Sequence, residues 1–315
     1  MRHDWKTVGL PAFALAMLIA YLSDIPLAFA DEPLFGFLYT TDVLPKGGKE
    51  IEQWVTWRTR KAGGSFNLWQ FRTEASYGVT NNLQGSIYAN WATFEAERNL
   101  TDGTTGPPET FAEAQCDPFT RCTGTKYVST SFEGIYRIFS PYTDGFGLAV
   151  LAEPSIGYNL REFEARLILQ KNFIDDLLVM AFNLTWAPEA RWLPSEPNAL
   201  TGLASGHWDH ELDVNMGLGA SYRFAPNWSL GVELINEREF AGFNIFSAPR
   251  TNQAWFLGPT LHYAATNWFA TLTFLEQLPF GKDYANEPPG NIQNGRTYAD
   301  DFEKYRLRLK AGYTF

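Results

Sequence analysis

From about residue 50 to residue 315 the chain repeats one pattern: some ten residues in which apolar and polar side chains alternate, then a break. Residues 208–224 show it most clearly. Trp208, Leu212, Val214, Met216, Leu218, Ala220, Tyr222 and Phe224 share one parity; Asp209, Glu211, Asp213, Asn215, Gly217, Gly219, Ser221 and Arg223 share the other. An extended strand sends successive side chains to opposite faces, so this segment has one apolar and one wet face. The last segment repeats the arrangement, with Tyr305, Leu307, Leu309, Ala311, Tyr313 and Phe315 set against Lys304, Arg306, Arg308, Lys310 and Thr314. Counting such segments predicts about twelve strands, near 50–60, 66–79, 83–95, 126–139, 146–158, 160–173, 177–190, 208–224, 228–240, 252–264, 267–277 and 303–315.

The connections separate a membrane barrel from a soluble sandwich, which also alternates polarity. Those at 80–82, 141–145, 174–176, 225–227 and 266–267 are tight, whereas 96–125, 191–207, 241–251 and 278–302 are long and rich in Gly, Pro, Asn and Thr. Tight turns on one side and mostly long loops on the other is the outer-membrane arrangement. The strands exceed the usual five or six residues, and their apolar faces carry aromatics near the ends, such as Trp69, Tyr77, Trp228 and Trp268. Aromatics make up 16% of the chain, yet no run of eighteen apolar residues follows the N-terminus, which excludes spanning helices. The expected fold is all-β: a transmembrane antiparallel barrel of about 12 strands with periplasmic termini.

The first thirty residues read as a cleaved signal peptide. Arg2 and Lys6 open it, residues 8–22 are apolar, and Ala28-Phe29-Ala30 offers the small residues a signal peptidase reads. The expected organisation is a leader over 1–30, a periplasmic or lumenal segment over 31–49, and the barrel over 50–315, in the outer membrane. Net charge is −10, and so acidic a chain is not suited to nucleic acid, whose binding relies on Lys and Arg. Cys116 and Cys122 are the two cysteines, and in an exported chain they are expected to form a local disulfide.

Tyr313-Thr314-Phe315 resembles the terminal signal of outer-membrane proteins, a final Phe preceded by alternating apolar and aromatic residues. That resemblance implies recognition of Tyr313 and Phe315 by the barrel-assembly machinery, and a surround of outer-membrane lipid and lipopolysaccharide. The phrases at 77–83 and 222–228 look like the repeated hairpin of uncharacterised proteobacterial barrels. The stretch 35–54, with Phe35-Gly36-Phe37-Leu38-Tyr39 and Glu50-Ile51-Glu52-Gln53-Trp54, is similar to the start of one such family of unknown function. The likeness brings no activity with it.

No catalytic constellation, cofactor motif or metal site is legible. Asp209 and His210 are adjacent, and neighbours on a strand point to opposite faces; His207 and His210 have helical spacing in a segment that reads as strand. The wet faces are more informative. Projected inward, the last and first strands supply a basic wall of Arg58, Arg60, Arg72, Lys304, Arg306, Arg308 and Lys310. Strands across the barrel supply an acidic wall of Glu153, Glu162, Glu164, Asp209, Glu211, Asp213 and Glu233, with Glu237 and Glu239. Opposed walls impose a transverse field on polar solutes, unless the groups pair and fill the lumen. The expected function is a passive channel or facilitator for a small solute, without catalysis. A structural or adhesive barrel working through its loops is the alternative, and a lipid-modifying enzyme a lesser one.

Overall fold

A computed structural model describes residues 33–61, 64–97, 107–111, 113–114, 116–117, 120–195, 205–246, 249–279, 281–283, 292–293, 296–299 and 302–315. The expected leader over 1–30 lies outside the described residues. Alternation becomes eleven strands and a closing one: β1 (Lys49–Thr59), β2 (Ser65–Thr80), β3 (Leu83–Glu97), β4 (Cys122–Phe139), β5 (Gly147–Ile156), β6 (Leu160–Phe173), β7 (Leu178–Ser195), β8 (Ser205–Ala225), β9 (Trp228–Ala241), β10 (Arg250–Ala264), β11 (Trp268–Gln277) and the closing strand Tyr305–Thr314. Each pairs antiparallel with its neighbour in sequence. The closing strand then pairs with β1 through Glu50 to Thr314 and Thr59 to Tyr305, so the sheet has no open edge. Closure matters in lipid, where an unpaired strand edge has no water to satisfy it.

Burial follows the alternation. Along β1, Glu50, Glu52, Trp54 and Thr56 are buried in the lumen, while Ile51 is exposed on the outer face. Outside, aromatic pairs ring both ends. Trp57 stacks on Trp69 at 5.6 Å and Trp91 meets Tyr127 at 5.1 Å, towards the long loops. Tyr263 contacts both Trp228 and Trp268 at 4.7 and 5.0 Å, near the tight turns. Amphipathic rings suit the lipid–water interfaces, so the two belts mark where the bilayer begins and ends.

Several strands run further into the extracellular side than alternation predicts. β4 starts at Cys122, β7 reaches Ser195, and β8 starts at Ser205. The connection after β3 turns back into the barrel mouth: a short helical turn, Glu109–Phe111, places Phe111 among Phe66, Leu68, Ala92 and Phe94. The Cys116–Cys122 disulfide ties this connection to the first residue of β4.

Candidate functional site

The segment ahead of β1 does not hang below the barrel. Residues 33–46 cross the lumen as a strap whose backbone amides are held by side-chain oxygens of widely separated strands. Glu233 on β9 accepts from the Gly36 and Phe37 amides, both at 2.8 Å, and from the Thr273 hydroxyl at 2.9 Å. Asn183 on β7 takes the Tyr39 amide at 2.7 Å and returns a bond to the Tyr39 carbonyl at 2.9 Å. Gln170 accepts from the Thr41 amide and Gln84 from the Leu44 amide, both at 2.7 Å. A strap without neighbouring strands leaves its amides unpaired, and these lumen oxygens satisfy them. Apolar contacts add to the hold: Phe35 and Leu38 pack with Ile235, Phe256 and Leu275, and Val43 with Ile135 and Leu151. Lumen-facing glycines make the room. A Cβ at Gly217 would lie 2.2 Å from Leu38, and one at Gly147 2.3 Å from the Thr41 hydroxyl.

On the extracellular side of the strap lies a cavity of about 410 Å³. Its floor includes Phe37, Leu38 and Tyr39, and its walls carry six arginines and five glutamates. Most are paired. Arg72 reaches Glu153 at 2.6 Å and lies over the Tyr88 ring at 3.4 Å. Arg306, 1% exposed, forks onto Glu237 at 2.5 and 2.7 Å, bonds Glu303, and covers Phe256 at 3.7 Å. Arg166 pairs with Glu164 at 2.8 Å, and Arg191 with Glu189.

The predicted site residues divide accordingly. Arg58, Arg72, Arg306 and Arg308 line the cavity, as do Glu153, Glu162 and Glu164. Lys310 lies lower, 3.9 Å over Trp54, and Glu233 is occupied by the strap. Arg60 is not in the lumen: with φ at 66° it leaves the extended conformation, ends β1 and is exposed at the rim. Lys304 precedes the closing strand and sits over Tyr298 and Tyr305 at 4.9 and 5.4 Å. Asp209 is exposed on the extracellular extension of β8. Glu211, Asp213 and Glu239 bring carboxylate oxygens within 4.8 Å of one another. Tyr313 and Phe315 point outward, their rings 6.1 Å apart.

Two walls of single sign do not describe this lumen. The basic side also holds inward Glu50, Glu52 and Glu74, and the acidic side holds Arg166 and Arg191. Charges in a confined interior are held in pairs because unpaired ones lose hydration without compensation. Arg166 and Glu189 occupy the inward parity of the strands predicted near 160–173 and 177–190, which was the signal for them, whereas Arg191 fell in the stretch 191–207 predicted as a loop.

Residues 27–315 match a family of unknown function, DUF6662. The chain belongs to this family. No curated protein matches this DUF6662 chain. The COG4313 outer membrane channel from Pseudomonas putida F1 aligns at 9% identity over 93% of this chain and 100% of that one, with TM-score 0.53. The beta domain of the Bordetella autotransporter BrkA aligns at 11% identity over 86% and 100%, with TM-score 0.51. The NanC porin aligns at 10% identity over 84% of this chain and 98% of that one, with TM-score 0.45. At such identities the likeness establishes the fold alone. With its closed strand ring and its aromatic belts, the DUF6662 chain is a Gram-negative outer-membrane β-barrel.

Proposed function

We propose that the protein is a passive outer-membrane channel or facilitator for small solutes, closed at rest by its N-terminal strap. The observation that carries this reading is the cavity above the strap, walled by arginine–glutamate pairs. A barrel that serves only as a scaffold gains nothing from a charged hollow. Charged, hydrated walls are what a polar solute crosses, and substitutions there tune selectivity. The strap supports gating rather than permanent closure, because hydrogen bonds and side-chain contacts hold it against the lumen wall, with no cross-link among the described residues. The inward fold of Phe111 favours a channel mouth over an adhesive loop. No catalytic step is assigned, and Tyr313 and Phe315 are proposed as the assembly signal.

The test is conductance in planar bilayers. The full chain should give small or infrequent openings. A variant with residues 33–46 excised should give larger, long-lived ones at the same protein density. If both are silent although the variant shows the heat-modifiable migration of a folded barrel, the channel reading is wrong.

A further inference from the structure

Pairing the charges around the cavity leaves a remainder on one side. Arg72, Arg166, Arg191 and Arg306 each hold a glutamate. Arg308 does not. Its Nε donates to the Thr56 hydroxyl at 2.8 Å and its Nη1 to the Gly36 carbonyl at 3.1 Å, while the guanidinium lies 3.9 Å over the Phe37 ring. All three partners are neutral, and among the described residues no carboxylate is within ion-pair reach of Arg308. Its remaining nitrogen, Nη2, is left to the cavity. Arg58 stands beside it: Thr56 pairs with Arg308 and Arg58 with Arg306 across β1 and the closing strand. Arg58 has only a 3.6 Å approach to Glu303, which Arg306 also holds. The guanidinium of Arg308 is thus fixed by neutral groups before any ligand arrives, and a fixed fork loses little freedom on binding.

We propose that Arg308 and Arg58 form an anion subsite in the lumen that takes the carboxylate head of a small monocarboxylic acid; this rests on the channel reading for its purpose and names the solute class. Nη2 of Arg308 supplies a charge-assisted hydrogen bond to one carboxylate oxygen, and Arg58, on the neighbouring strand, supplies the second positive charge. A doubly charged head fits less well, because Glu303 lies 3.6 Å from Arg58 and the other arginines of the wall, Arg72 and Arg306, already hold Glu153 and Glu237. Phe37, Leu38 and Trp54, which also line the cavity, offer apolar surface to a short carbon tail. The cavity's roughly 410 Å³ lies within the range of small-molecule sites.

The experiment is calorimetric titration of the full chain, folded in detergent, with butyrate, butan-1-ol and inorganic phosphate. Butyrate should bind saturably and tighter than phosphate, and butan-1-ol should not compete. Arg308→Gln should weaken butyrate binding at least tenfold, Arg308→Lys by less, and Arg58→Gln by about threefold or more. Absence of saturable butyrate binding, equal competition by butan-1-ol, tighter binding of phosphate, or unaltered affinity in Arg308→Gln would each overturn the assignment. Should Arg308→Gln lose heat-modifiable migration, Arg58→Gln decides in its place. Silent bilayers with intact, Arg308-dependent butyrate binding would sink the channel and leave the subsite standing. Conducting bilayers without such binding would do the reverse.

Discussion

Glu233 is the strap's strongest anchor, and replacing it should release the strap while leaving the barrel closed. Its fully buried carboxylate accepts the Gly36 and Phe37 amides, one on each oxygen. A hydrogen bond to a charged group contributes about 1.5–3 kcal/mol net. Taking the lower figure, because one carboxylate serves both amides, Glu233→Ala should weaken docking by about 3 kcal/mol. At about 1.4 kcal/mol per decade, the undocked population rises roughly a hundredfold. Glu233→Gln should give about half the effect in free energy, since its amide keeps one acceptor oxygen and turns a donor towards the second N–H. Hydrogen–deuterium exchange read on peptides covering residues 33–44 measures this directly. The Gly36 and Phe37 amides should lose about two decades of protection in the Ala variant, while amides of β9 keep theirs. Strap protection within a factor of three of wild type would refute the anchoring role, and equal loss in β9 would show that Glu233 instead holds the barrel.

Leu309 is 44% exposed on the outer face of the closing strand, so Leu309→Arg should cost about 2–4 kcal/mol of barrel stability near the midplane, seen as a lower urea midpoint in lipid vesicles. Arg308→Gln, one residue away but inward, should leave that midpoint nearly unchanged. Changing Cys116 and Cys122 to Ser should leave heat-modifiable migration intact, with a loss near the low end of about 2–4 kcal/mol confined to the loop around Phe111, detectable as faster exchange there. Asp42, on the strap, has its carboxyl pKa raised by burial, against hydrogen bonds from Thr40 and Tyr142 that pull it down. The docked strap therefore holds this proton more tightly than the free one. Asp42's own contribution to docking should be largest at low pH and shrink as pH rises through the raised value. The ratio of strap exchange protection in the wild type to that in Asp42→Asn, taken at each pH, should fall along that course.

The strands were legible because lipid outside and water inside impose a period of two on every segment. Boundaries failed where that constraint ends. Beyond the bilayer, around Cys122–Lys126, Trp192–Pro194 and Ser205–Trp208, both faces meet water or loops and alternation carries less information. A bulge where Asn90 pairs with Ser129 but Trp91 with Tyr127 also shifts parity, which turns Lys126 inward towards Glu113 and Asn159. Which side chains share the lumen was readable from parity; which of them bind one another was not. Arg72 and Glu153 are 81 residues apart, and their contact depends on barrel diameter and strand stagger. The strap was half visible: residues 31–49 read as a periplasmic or lumenal segment, but the partners Glu233, Asn183, Gln170 and Gln84 looked like ordinary wet-face residues.

The strap's bonds also dictate an order of events. Gly36 and Phe37 come early in the chain, yet their partners are Glu233, Thr273 and Arg308, up to 272 residues later. Contacts so distant in sequence must await the pieces between them, and the loop entropy they close is large. Until the closing strand pairs with β1, the lumen groups that hold the strap do not surround a common space. The first described segment of the chain is therefore the last to reach its place, once the ring around it has closed.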